Sequence, residues 1–190
     1  MQKNTMKINN RIFKNCKDMS ATCFYVYICI KVYQANTNSD NFSIYDIKDN
    51  VGLAKSTLIR NIKELMPFGY IKERKTYNSF SNPYKTYSIV EPKDTIHGFT
   101  DFNLNFVEKI IYLVKEDKLN KRHLQIFLYL KYKELLRNNS WNLSQSHISR
   151  CLGVTRNAIN ISLKNLDKEI VKELYEIYGL EFEYIYDFLK

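Results

Sequence analysis

Glycine and proline are scarce in this chain, five and three residues among 190. The glycines lie far apart, so there is no glycine-rich loop to cradle a phosphate chain. The three histidines, His97, His123 and His147, form no His-x-His or His-x-x-x-His pair. That removes the ligand spacing of common zinc hydrolases and of metal-dependent nicking enzymes. Cys16, Cys23, Cys29 and Cys151 form no C-x-x-C pair and match no zinc signature. Cys23 and Cys29 stand in an apolar run and read as buried thiols, and the set implies a reducing cytosol without disulfides. The longest apolar run, Cys23–Ile30, is too short to span a bilayer. The first fifteen residues lack the apolar core of a signal peptide. The expectation is a cytoplasmic protein with no catalytic role, no cofactor, no metal and no membrane partner.

What the chain has is positive charge, +9 in all, unevenly placed. Residues 1–90 hold 14 Lys/Arg against 6 Asp/Glu, whereas residues 91–190 hold 15 against 14. A basic N-terminal half suits a polyanionic partner. The 15 tyrosines are not read as a stacking surface, because an AT-rich coding bias accounts for them together with the many Asn, Lys and Ile.

Residues 1–19 are polar and basic, and fit either a flexible arm or a short strand around Ile8–Phe13. Ser20 is placed to cap a helix that runs to about Gln34, with Cys23, Val26, Tyr27 and Ile30 on one face. Turn formers fill Ala35–Asn41. Ser43 opens the next helix, with Asp46 completing a capping box, and Gly52 ends it. A second helix, from about Ala54 to Met66, buries Leu58, Ile62 and Leu65 before Pro67 and Gly69. Tyr70–Tyr77 and Tyr84–Val90 predict a hairpin around the tip 78–83. Glu91–Asp101, with Pro92 and Gly98, reads as a linker. Short and long helices are expected over Phe106–Lys115 and Lys121–Leu136, then two more over Ser144–Leu152 and Thr155–Leu166. In 171–189, Gly179 divides two runs. The second alternates like a strand, so a hairpin is expected there rather than a helix.

The two halves repeat each other at an offset of 101 residues. Ser43 pairs with Ser144, Ile47 with Ile148, Val51 with Leu152 and Gly52 with Gly153. Onward, Lys55 pairs with Arg156, Leu58 with Ile159, Ile62 with Leu163, Lys63 with Lys164 and Leu65 with Leu166. Helix, glycine turn and helix recur in register. A tight turn of this kind sets the second helix at a steep angle and frees its polar face for a DNA major groove.

That face carries Lys55, Ser56, Thr57, Arg60, Asn61 and Lys63 in the first copy. In the second copy it carries Arg156, Asn157, Asn160 and Lys164. Arginine pairs with guanine, asparagine with adenine, and lysine mostly holds phosphate. The hairpin adds Lys72, Arg74, Lys75 and Lys85 against Glu73, with Asn78 and Asn82 at its tip as phosphate donors. Cations there gain affinity by releasing counterions. The second copy is followed instead by an acidic stretch, 167–190, with seven acids and three lysines. Its aromatics Phe182, Tyr184, Tyr186 and Phe188 either fill the module's own core or pair with another subunit or protein partner.

The stretch GLAKSTLIRNIKELMPFGYI resembles bacterial winged helix-turn-helix DNA-binding proteins, through Gly52, Leu58, Leu65, Gly69, Tyr70 and Ile71. Ala54 departs from the usual Ser or Thr cap, which Thr155 supplies in the second copy. The resemblance implies a mainly α fold with small β-hairpins (α+β), built as two tandem winged modules. The first comprises residues 1–90, basic arm included, 91–118 form a linker with a short helix, and 119–190 form the second with an acidic C-terminal hairpin. The function implied is sequence-specific binding of double-stranded DNA, as a homodimeric transcription regulator. Two such modules in one chain also resemble plasmid and phage replication initiators, which bind repeated origin sites.

Overall fold

The computed structural model describes residues 4–77, 83–90, 98–136 and 144–178. The chain is built around α2 (Ala21–Thr37), whose residues Cys23 to Lys31 are all buried. Ser20 Oγ accepts the Cys23 N–H at 3.0 Å and so caps the helix as expected. A helix apolar on every side must be covered on every side. Helices α3 (Ile44–Val51), α4 (Lys55–Leu65), α5 (Leu104–Lys115) and α6 (Lys121–Leu136) pack on it, with strand β1 (Thr5–Asn9).

The expected loop after α2 is shorter than its sequence suggested. The helix continues past Gln34 to Thr37, and Asn38 closes it at φ 54, donating its N–H to the Gln34 carbonyl at 2.8 Å. Asn41–Phe42 then form a strand, β2, too short to show alternation in sequence. β2 pairs with β4 (Pro83–Ile89), which pairs with β3 (Ile71–Tyr77), giving an antiparallel sheet of order β2-β4-β3. The expected hairpin is therefore two strands of a three-stranded sheet, in register from Ile71↔Ile89 to Tyr77↔Pro83.

From Thr5 on, the N-terminal segment is a strand and a helix rather than a flexible arm. The strand sits earlier than 8–13 because Asn9 turns the chain, its Oδ1 accepting the Arg11 N–H at 2.9 Å. A short helix, α1 (Arg11–Asn15), and a 3-10 turn at Cys16–Asp18 follow. Met6, Ile8, Ile12, Phe13 and Cys16 are buried. Phe13 stacks on Tyr132 of α6 with ring centroids 4.2 Å apart and planes within 9°. β1 pairs antiparallel with β5 (Phe99–Asn103), so the stretch read as a linker ends in a strand; residues 91–97 lie outside the described residues. Helix α5 then packs on both α2 and α6, and one hydrophobic core runs through both halves of the chain.

The second half continues with α7 (Gln145–Leu152), α8 (Arg156–Lys164) and α9 (Lys168–Tyr178). The first part of the hairpin expected over 171–189 is thus helical. Ile170, Val171 and Leu174 are buried at helical spacing, a pattern that begins upstream of the alternating run. Residues 179–190 lie outside the described residues. Among the described residues the fold is mainly α-helical with two small antiparallel sheets.

The repeat is structural as well as sequential. Ser43 and Ser144 each accept a backbone N–H three residues on, from Asp46 and His147. Gly52 and Gly153 both adopt the left-handed conformation, at φ 66 and 64. The core pairs Leu58/Ile159, Ile62/Leu163 and Leu65/Leu166 are all buried. The two glycines differ in surroundings. A Cβ on Gly52 would meet the Lys115 side chain at 3.5 Å, an ordinary contact, whereas one on Gly153 would lie 2.3 Å from the Lys17 carbonyl oxygen. Gly52→Ala is therefore expected to cost about 1–2 kcal/mol, the left-handed penalty alone. Gly153→Ala adds a collision with backbone and costs more; urea midpoints of the two variants check the order.

His123 joins α6 to α8 and is 4% exposed. Its Nδ1 accepts the Asn120 N–H at 3.2 Å, which leaves the proton on Nε2 to donate to the Ser162 carbonyl at 2.7 Å. Burial holds His123 below the usual histidine value, which is about 6.5. The unfolded chain then binds the proton more readily, so the stability His123 contributes is complete above that pH and is lost as pH falls through its folded value. His147, also held low by burial and by Lys133 and Arg150, acts in the same direction. Unfolding free energy is expected to fall below about pH 6.5, with a shallower slope in His123→Gln.

Candidate nucleic-acid interface

The α3–α4 pair is held by its buried side. Leu58, Ile62 and Leu65 of α4 enter the core, and the Tyr25 hydroxyl donates to the Val51 carbonyl at 2.9 Å, fixing the end of α3 on α2. Gly52 reverses the chain, and α4 starts three residues later with Lys55, Ser56, Arg60 and Lys63 exposed. Thr57 is half-buried. Lys63 stands in the last turn, where a cation also complements the helix dipole.

Asn61 is corrected from the expected surface. It is 1% exposed. It follows Leu58 by three residues and precedes Leu65 by four, which puts it on the core face. Its Nδ2 donates to the Thr57 carbonyl at 2.7 Å, and its own carbonyl faces the Cys23 thiol at 3.7 Å.

Tyr45 is a surface residue the sequence reading missed. It lies in the first turn of α3, 72% exposed. Lys55 Nζ donates to its hydroxyl at 3.0 Å and sits 4.9 Å from its ring centroid. That hydrogen bond, then the ammonium charge, holds the phenol below its usual value. Only the contact across the glycine turn reveals the pair, since ten residues separate them.

The hairpin carries Lys72, Arg74 and Lys75 exposed on β3 and Lys85 exposed on β4. Side chains alternate between the two faces of a strand. Lys72 and Arg74 therefore share one face, and Lys75 and its register partner Lys85 share the other. Glu73, on that second face, bridges Lys85 at 2.7 Å. The bridge eases the like charges across the strands and raises the Lys85 ammonium value. Asn78 and Asn82, expected at the tip, lie outside the described residues.

In the second copy Arg156, Asn157 and Lys164 are exposed on α8. Asn160 is half-buried and engaged. Its Oδ1 accepts from Gln145 Nε2 at 3.2 Å, and Gln145 Oε1 accepts from Arg156 Nε at 3.4 Å. Asn160 thus braces the helix pair rather than presenting an open amide. α9 follows, tied to α5 by a Lys109–Glu173 bridge of 2.6 Å.

Among the described residues, no group of three or more His, Cys, Asp or Glu side chains is placed to hold a metal ion. Among the same residues, no helix is long and apolar enough to cross a membrane. The chain matches no protein-family model, no curated protein and no solved structure.

The placement of Asn61 has a direct consequence. Asn61→Asp replaces a buried donor by a charge facing the Thr57 carbonyl. Unfolding free energy should drop by at least about 2 kcal/mol at neutral pH. A side chain on an open face would show almost no change in the same urea titration.

Proposed function

We propose that this chain is a sequence-specific double-stranded DNA-binding protein of the winged helix-turn-helix type. The observation that carries the reading is the α3–Gly52–α4 pair, which turns Lys55, Ser56 and Arg60 outward and is followed in the chain by a hairpin bearing exposed Lys72, Arg74 and Lys75. The order α2-β2-α3-α4-β3-β4, with β2 on the hairpin's β4 edge, supports the same reading. In it, α4 enters the major groove, Arg60 pairs with guanine, and the wing's cations lie along phosphates. Transcription regulation by a homodimer in the cytosol is the role that fits. The four free thiols, three of them buried, suit that reducing compartment.

The second helix–glycine–helix copy favours a second role, that of a replication initiator on repeated origin sites. Arg156 and Asn157 give one chain a second outward helix face. In chain order, helix α9 follows α8 where the basic hairpin β3–β4 follows α4. A footprint over tandem direct repeats supports the initiator, whereas a single short palindrome supports the regulator.

Equilibrium binding to a cognate duplex tests the shared claim. Arg60→Ala should cost about 1–3 kcal/mol at the cognate site and little on unrelated DNA. Lys75→Ala should weaken all duplexes alike and reduce the salt slope by about 0.9. Equal losses from both variants on every duplex would contradict α4 as the reader.

A further inference from the structure

The two copies differ at the centre of the face that each helix turns outward. At the offset of 101 residues, Lys55 corresponds to Arg156, Ser56 to Asn157, and Arg60 to Ile161. The first pair behaves alike in both copies. Each cation stands at the first residue of its helix and is met by a side chain from the first turn of the preceding helix. Lys55 meets the Tyr45 hydroxyl at 3.0 Å, and Arg156 meets Gln145 Oε1 at 3.4 Å. The other two positions, four residues apart and so on one face, change chemistry. Ser56 and Arg60 are exposed in α4, while Asn157 is exposed in α8.

Ile161 is 51% exposed, in the middle of a helix whose other large apolar residues, Ile159 and Leu163, are buried. Core packing does not account for it. An apolar side chain at the place where the sister helix carries arginine cannot hydrogen-bond guanine. It matches the one apolar group on the major-groove edge, the thymine methyl. Asn157, one turn earlier, has the donor and acceptor pair that matches adenine.

Resting on the DNA-binding reading, we infer that α8 reads A·T base pairs, through Ile161 on a thymine methyl and Asn157 on adenine, while α4 reads guanine through Arg60. The target is then one composite site per chain, with a guanine-bearing block and an A·T block. It is not two copies of one half-site.

The test uses the full chain and a duplex recovered by selection from random sequences. The recovered motif should hold both blocks. Replacing the A·T block's thymines one at a time by uracil deletes a single methyl and leaves every hydrogen-bonding group intact. Wild-type protein should lose about fourfold in affinity at one of these positions, the worth of one buried methyl. Ile161→Ala should bind the thymine and uracil duplexes equally. Ile161→Arg, at an exposed position, should shift the preferred base there to guanine. A motif without an A·T block, or wild-type indifference to uracil at every position, overturns the inference and leaves DNA binding by α4 intact. Selection that enriches no sequence overturns both.

Discussion

Two left-handed turns, at Gly52 and Gly153, set the geometry on which the rest depends. A helix that continued through either position would carry the next segment along its own axis, and Leu58, Ile62 and Leu65, or their counterparts in α8, would have no core to enter. The positive φ of each glycine folds the second helix back. Once that face is buried, 3.6 residues per turn decide what faces out. Lys55, Ser56 and Arg60 are exposed because Leu58 and Ile62 are not. The outward charge of the first copy is thus a consequence of its packing.

The second turn carries an additional constraint. The backbone of Lys17 lies where a side chain on residue 153 would be. The 3-10 turn and α1 pack on α7, Phe13 stacks on Tyr132, and β1 pairs with β5. Residues 4–19 are in this way bound up with the second half of the chain, although they precede the first copy. Their basic residues Lys7, Lys14 and Lys17 stay exposed while the apolar ones are buried. That is how a segment with the composition of a solvated arm comes to brace the core.

Legibility in the sequence followed period and length. The helices α4, α6, α7 and α8 were readable because their apolar residues recur every three or four positions, and α7 and α8 also carry Ser144 and Thr155 as N-caps. The capping box of Ser43 and Asp46 is present as written, with Ser43 N to Asp46 Oδ2 at 2.6 Å. Strand β2 was illegible because two residues carry no period. β5 hid behind the proline and glycine that precede it. Of the hairpin expected over 171–189, the stretch 171–178 belongs to helix α9, because the helical pattern began at Ile170. Within the site, Lys55, Arg60 and the hairpin cations stand on the surface as expected. Asn61 was misjudged because a polar residue on a mixed helix suggests exposure, whereas its spacing from Leu58 and Leu65 sets the face. The partners Tyr45–Lys55 and Gln145–Asn160 needed coordinates, since each bridges a turn.

The central claim is that α4 and the basic hairpin form a surface for duplex DNA of a defined sequence. Selection of random duplexes by the full chain at moderate salt tests it most directly. The account predicts a reproducible motif containing guanine, with its guanine preference abolished in Arg60→Ala. Retention of duplexes without enrichment of any sequence, or no retention at all, would contradict it.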